Sequence, residues 1–269
     1  MNTIPRSLLF VPGNRPDRIA KARRAGAHAV IVDLEDAVAP AEKEAARAAL
    51  VAQLDSASPV LVRVNGADTE WFARDVAACA HPGVLGVLVP KAEDIAPLAA
   101  ARDSLGAGRV LVPIIETARG FDRARALAES GHAARLAFGS IDFQLDLRIE
   151  GEGDELLYFR SRLVLVSRLA GLPAPIDGVS VAIEDEQRVR AETLYAKRLG
   201  FGAKLCIHPR QVPVVNQCFV PTAEERAWAK RVLDAAAASQ GSAVALDGRM
   251  IDAPVIRKAE DILASGDEA

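Results

Sequence analysis

Two carboxylates carry the most suggestive chemistry in this sequence. Glu116 closes the apolar run RVLVPIIET, and Asp142 closes ARLAFGSID. If the two runs are neighbouring strands, their ends lie about 4.8 Å apart. Anions brought that close repel unless something neutralises them. A hard divalent cation does so: Mg²⁺ takes one or two protein carboxylates and keeps its other positions for water and substrate. The plainer reading is that Asp142 caps a helix and Glu116 pairs with Arg119.

Other polar residues also sit at the ends of apolar runs. They are Asp33, Glu35 and Asp36 in DLED, Arg63 and Asn65 in RVN, Lys91 in VPKAE and His208 in IHP. A guanidinium fixed at the position of Arg63 suits bidentate capture of a carboxylate or stabilisation of an oxyanion. An ion pair with the DLED acids is the alternative. For Lys91 a pair with Glu35 or Asp36 is expected, and for His208 a locally satisfied histidine. Asp252 in RMIDAP lies far downstream, where a helix cap or turn is the default role.

The elements that must hold these residues follow a βα rhythm. Candidate strands are Ser7 to Val11, His28 to Leu34, Pro59 to Asn65, Gly83 to Lys91, Arg109 to Thr117, Ala134 to Asp142, Pro175 to Ser180 and Ala203 to Pro209. Segments of helical period separate them, with a polar loop expected between Asp142 and a helix over Leu156 to Ala170. The strand runs are almost wholly apolar, as in parallel strands buried on both faces. Eight βα units predict an α/β fold, a TIM-type (β/α)₈ barrel over residues 1–220, with residues 221–269 as a C-terminal helical extension or lid. An open doubly wound sheet is the rival, but no GxGxxG follows the first strand. In a barrel, the C-terminal strand ends build the active site, and the polar residues above occupy them.

Composition narrows the function classes. The chain has 269 residues, 50% of them hydrophobic, and a net charge of -3. Neither nucleic acid nor a membrane surface is an expected partner. No apolar stretch approaches the roughly 20 residues of a membrane span. The three cysteines have no CxxC spacing, which fits buried thiols in a cytoplasmic protein.

In order along the chain, RSLLFVPG, DLEDAV, RVNG, VPKAE, ETARG, FGSIDFQLD, GFGAKLCIHPRQ and DGRMIDAP resemble the citrate lyase beta-subunit-like proteins of the HpcH/HpaI aldolase superfamily. The resemblance covers nearly the whole chain. It implies a TIM barrel, a homotrimer, one Mg²⁺ and a coenzyme A thioester as substrate. Glu116 and Asp142 match the family's metal-binding carboxylates, and Arg63 its substrate-binding arginine. Asp252 matches a catalytic acid that related lyases supply from an adjoining subunit, and Arg6 is implied as a further contact to coenzyme or substrate. The implied reaction is the cleavage or formation of a 3-hydroxy-3-carboxyacyl-CoA, such as citramalyl-, malyl- or citryl-CoA, with a 2-oxo acid and an acyl-CoA as the other partners. The alternatives are a class II pyruvate-type aldolase on free aldehydes, a malyl-CoA thioesterase and a non-catalytic complex subunit. Many relatives have glycine shortly after the strand-six motif where this chain has Arg148, so that loop is expected to select substrate differently.

Overall fold

A computed structural model describes residues 5–15, 17–238 and 244–265. The described residues divide into two compact units, residues 5–216 and residues 217–265.

In chain order the first unit contains β1 (Ser7–Pro12), α1 (Asp17–Arg24), β2 (Ala29–Asp33), α2 (Lys43–Gln53), β3 (Val60–Arg63), α3 (Phe72–Ala78), β4 (Val84–Val89), α4 (Ile95–Leu105), β5 (Val110–Ile115), α5 (Ala118–Glu129), β6 (Ala137–Phe138), α6 (Ser140–Leu147), α7 (Leu157–Leu169), β7 (Ile176–Asp177), α8 (Glu186–Leu199), β8 (Ala203–Cys206) and most of α9 (Gln211–Phe219). The eight strands pair in sequential order and close on themselves, all parallel. The expected (β/α)₈ barrel is the observed fold. Side chains alternate across each strand. One set fills the barrel interior, including Leu8, Ile31, Leu61, Leu88, Ile114, Ala137, Ile176 and Leu205.

The alternate face of the strands packs under the helices and also carries charge. Asp177 and Lys204 are each almost fully buried there. Lys204 Nζ donates to Asp177 Oδ2 at 2.7 Å, and Arg160 Nε donates to Oδ1 at 3.1 Å. Burial alone would raise the Asp177 pKa; the two cations outweigh it and hold the carboxyl below its ordinary value. This cluster ties β7, β8 and α7 together on the face away from the barrel axis.

The second unit is built on α10 (Ala223–Ala238), the antiparallel hairpin of β9 (Val244–Leu246) and β10 (Arg249–Ile251), and α11 (Ala253–Ala264). Asp247 (φ 50°) and Gly248 (φ 75°) both take positive φ between the strands, as a two-residue primed turn requires. Its small core joins Ala229, Val232, Ile251 and Ala259 with Trp228 and Leu246 packed against them.

Three helical or strand features depart from the sequence reading. Residues Ser140–Leu147 form α6 where a strand end and polar loop were expected. The α9 helix and the β9–β10 hairpin were also not anticipated. Among the described residues no helix is long and apolar enough to cross a membrane, and Cys79, Cys206 and Cys218 are buried.

Candidate active site

The alternation that fills the barrel also sets its mouth. Two residues beyond Ile31, Leu61 and Ile114 on their strands come Asp33, Arg63 and Glu116. The same side-chain direction therefore carries these groups above the topmost apolar layer. Asp33 and Arg63 are register partners on β2 and β3. Together with Asp36, Ser140 and Asp142 they line a cavity of about 490 Å³ at the C-terminal strand ends. Its remaining wall is apolar and includes Phe10, Val179, Leu205 and Ile207.

Arg63 forms a planar fork with Asp33: Nε to Oδ1 at 2.8 Å and Nη2 to Oδ2 at 2.7 Å. Its Nη1 lies 3.0 Å from Glu35 Oε2 and 3.6 Å from Asp36 Oδ2. The guanidinium also stacks over Phe10 at 4.9 Å. Burial would lower the Arg63 pKa, but the hydrogen bonds and charge of Asp33, with Glu35 and Asp36, raise it instead. Asp33 in turn accepts the backbone N–H groups of Glu35 and Ala37. Lys43 Nζ binds the carbonyls of Leu34 and Glu35, so the acidic loop is fixed from both sides. The ion pair with the DLED acids is thus present, and it points the same guanidinium at the cavity.

Glu116 is 2% exposed. Its Oε1 accepts the backbone N–H of Lys91 at 2.7 Å. Its carboxyl lies against Gly139, where a Cβ would come within 2.2 Å of Oε2. The register explains this proximity, since Ile115 pairs with Phe138 and the next residue on each strand is Glu116 and Gly139. Burial pushes the Glu116 carboxyl up to about 8, and the charges of Glu35 and Asp142 act in the same direction. Arg119 does not pair with it; Arg119 meets Glu93 and Asp94. A buried carboxyl opposed by two other acids is destabilised as an anion, and a hard cation at its cavity face would relieve that. The donors present, carboxylate oxygens with room for further oxygen ligands, fit Mg²⁺ chemistry rather than that of a soft metal. Among the described residues, no three His, Cys, Asp or Glu side chains already converge as a closed metal cage.

Asp142 lines the same cavity, but not from a strand end. β6 stops at Phe138, and Asp142 sits in the first turn of α6, whose N-terminal cap position is Gly139. The helix N-terminus favours an anion there. The other expected residues fall elsewhere. Arg6 precedes β1, at the N-terminal end of the barrel, where its carbonyl accepts the N–H of Lys204. A six-residue strand spans about 20 Å, so Arg6 stands at the opposite end from this cavity and is not among the residues that the structure brings together there. Asn65 is tied by both its backbone and side-chain amides to Asp75, and His208 is held locally through Gln211 and Arg210. Asp252, in the second unit, is the exposed N-cap of α11 and its Oδ1 accepts the N–H of Val255 at 3.1 Å.

Sequence reasoning missed Gly139 and the part played by Lys91. Lys91 has φ +45°, a conformation a lysine rarely adopts, so nothing in its residue type announced it. As expected, Lys91 Nζ pairs with Glu35, at 2.7 Å from Oε1.

Comparison with known proteins bears on this arrangement. Residues 6–209 match the family described as HpcH/HpaI aldolase/citrate lyase. The chain is 39% identical to a citrate lyase subunit beta-like protein of Deinococcus radiodurans, over 98% of this chain and 99% of that one. It is 34% identical to a (3S)-malyl-CoA thioesterase of Cereibacter sphaeroides, over 97% and 94%. Its fold is similar, with a TM-score of 0.87 and 35% identity over the full length of both chains, to the crystal structure of the protein CitE from Mycobacterium tuberculosis in complex with magnesium, acetoacetate and coenzyme A.

Proposed function

The chain belongs to the HpcH/HpaI aldolase/citrate lyase family, and we propose that it is a Mg²⁺-dependent carbon–carbon lyase acting on a 3-hydroxy-3-carboxyacyl-CoA. The observation that carries this reading is the convergence of Glu116, Asp142 and Arg63 on one cavity at the C-terminal mouth of the barrel. A relative of the same fold has been crystallised with magnesium, acetoacetate and coenzyme A, which supports a thioester substrate for this site.

Glu116 and Asp142 would hold the metal. Bound there, Mg²⁺ supplies Lewis-acid stabilisation to the oxygen that passes between hydroxyl and ketone. Cleavage breaks the bond between the hydroxyl-bearing carbon and the carbon next to the thioester. The hydroxyl passes its proton to solvent water, and the bonding pair moves onto the carbon next to the thioester, where it is delocalised onto the thioester oxygen as an enolate. Arg63, already locked by Asp33, meets that negative charge without reorganising. Asp252 is the proposed acid that protonates the enolate carbon in cleavage and removes the same proton in synthesis. On the family resemblance it would come from a neighbouring copy in a homotrimer.

Incubation with Mg²⁺ and citramalyl-, malyl- or citryl-CoA tests the reading directly. Release of a 2-oxo acid together with acetyl-CoA is expected, and it should stop in excess EDTA or in Glu116→Ala. Undiminished release under either condition removes the metal from the mechanism. The thioesterase of Cereibacter sphaeroides favours a second reading, hydrolysis of malyl-CoA. Free CoA formed without any 2-oxo acid would select it.

A further inference from the structure

The cavity at the barrel mouth is divided by chemistry. Its charged lining residues, Asp33, Asp36, Arg63, Glu116 and Asp142, come from β2, β3, β5 and β6 or from the residues that follow them. The other side belongs to β7, β8 and β1, which are consecutive in the closed barrel. These strands and the segments after them contribute Val179, Val181, Leu205, Ile207, Phe10 and Pro12, all apolar. Val181 and Ile207 remain 50% and 41% exposed, so this arc offers apolar surface that its own unit leaves uncovered. Among the described residues that line the cavity Arg63 is the one cation, and Asp33, Glu35 and Asp36 already face its three nitrogens.

Val179, Val181 and Ile207 lie beyond the strands. The β7–β8 ladder pairs Ile176 with Ala203 and Asp177 with Lys204, below the level of these residues. Gln211, the first residue of α9, joins the two loops instead. Its Oε1 accepts the backbone N–H groups of Ile207 at 2.9 Å and His208 at 3.1 Å. Its Nε2 donates to the carbonyls of Ser180 at 2.9 Å and Ala182 at 2.8 Å, on either side of Val181. A side-chain amide has two lone pairs on oxygen and two N–H groups, so its whole capacity is used. Gln211 is 2% exposed, and a loop that moved away would leave part of a buried amide unsatisfied. Arg210 and Glu184 also span the two loops, but both are exposed and such a pair holds weakly.

We propose that Gln211 is a positioning residue that fixes this apolar arc, and that the arc selects substrates whose hydroxyl-bearing carbon carries an apolar group. The proposal rests on the reading that the cavity cleaves a 3-hydroxy-3-carboxyacyl-CoA. In malyl-, citramalyl- and citryl-CoA that carbon bears, besides its hydroxyl and carboxylate, a hydrogen, a methyl and a carboxymethyl group respectively. The hydroxyl and carboxylate belong on the Glu116 and Asp142 side. That leaves the third group and the thioester arm for the arc and the opening above it. A methyl gains by burial against Val181 and Ile207, and a hydrogen offers nothing to bury. A carboxymethyl anion would meet apolar side chains where no lining residue pairs its charge, which is costly.

The test compares kcat/KM of the full chain, with Mg²⁺, on the three thioesters. Citramalyl-CoA is expected to lead malyl-CoA by at least about tenfold and citryl-CoA by at least about a hundredfold. Gln211→Met keeps the length of the side chain and loses its hydrogen bonds. It should bring the citramalyl-to-malyl ratio within about threefold. A residue that only stabilised the fold would slow both substrates alike, so an unchanged ratio in Gln211→Met overturns the proposal. Val181→Lys changes a half-exposed position and tests the arc even where Gln211→Met does not fold. It should shift the preference about fivefold toward citryl-CoA, and no shift counts against the arc. Calorimetric titration with pyruvate and oxaloacetate reads the same selectivity without turnover. Pyruvate should bind at least about tenfold tighter, and equal affinities overturn the proposal. If none of the three thioesters is cleaved, the lyase reading falls and this inference falls with it. If all are cleaved with similar efficiency, or citryl-CoA leads, only the inference falls.

Discussion

Glu116 and Gly139 stand side by side just past the ends of β5 and β6 with no room for a single added carbon: a Cβ on Gly139 would lie 2.2 Å from Glu116 Oε2 and 2.5 Å from its Cβ. The absent side chain is what lets the Glu116 carboxylate face the cavity at its observed height. Gly139→Ala is therefore expected to push the carboxylate aside. Overpacking at such a site costs about 1–3 kcal/mol. The larger effect should be on the metal, with Mg²⁺ affinity falling at least about tenfold. Calorimetric titration beside a denaturant melt separates the two. Wild-type affinity in a folded Gly139→Ala protein would show that the carboxylate does not need this glycine.

The raised pKa of Glu116 makes stability and metal binding depend on pH in opposite senses. A carboxyl whose folded pKa lies above its unfolded value keeps a proton in the folded state that the unfolded chain has lost. Here that window runs from 4.5 to about 8. Metal-free protein should lose stability as pH climbs through it, by up to about 5 kcal/mol, and level off above it. Burial pushes Glu35 in the same direction, so it adds to the slope. Glu116→Gln should flatten most of this dependence and be the more stable protein at pH 8 in EDTA. Mg²⁺ must displace the same proton, so its affinity should rise across the window and its binding at pH 7 should release protons. Denaturant midpoints against pH, and titrations in buffers of different ionisation enthalpy, read these out. A pH-independent affinity between 6 and 8 contradicts the assignment of Glu116 as ligand.

The Asp33–Arg63 fork predicts a loss that geometry, not charge, controls. Asp33→Asn keeps the side-chain shape but offers one acceptor oxygen where two now serve four N–H groups, two of Arg63 and the backbone N–H groups of Glu35 and Ala37. Glu35 and Asp36 still neutralise the guanidinium, so the fold should survive at a cost of about 2–3 kcal/mol. The enolate-stabilising position should be lost, lowering kcat about a hundredfold with a smaller change in KM. Arg63→Lys should not restore the rate, because an ammonium cannot form the fork. A wild-type kcat in Asp33→Asn would make the pair structural only.

The strand ends were legible because burial writes itself into composition. Runs such as AVIVD and VLVPII have one reading, strands covered on both faces, and the polar residues that follow them mark the open end of the barrel. Asp33, Arg63 and Glu116 were found that way. Asp142 was found for a partly mistaken reason, because a strand of two residues followed at once by a helix leaves the same polar signature as a longer strand. That Arg6 lies away from this cavity was not legible, because a motif tells which residues recur but not which end of a strand they occupy. The β9–β10 hairpin carried its signal in the open, Asp247–Gly248, yet its short strands lack the alternation that usually draws attention. Lys91 was hidden for a physical reason: its value lies in a backbone conformation that its side chain disfavours.

Asp252 separates catalysis from structure unusually well. Its observed bond is that of a helix cap, Oδ1 accepting the N–H of Val255. Asparagine caps a helix about as well as aspartate, whereas alanine costs about 1 kcal/mol. Asp252→Asn should therefore leave the melting midpoint of the protein nearly unchanged. If Asp252 also carries the proton to and from the enolate carbon, the same variant should lose at least about a hundredfold in kcat. It should also stop exchanging the methyl protons of acetyl-CoA with deuterated water in the presence of a 2-oxo acid. Mg²⁺ affinity should stay at the wild-type value, because Glu116 and Asp142 are untouched. Proton exchange at the wild-type rate in Asp252→Asn would leave the residue as a cap alone and require another acid for the reaction.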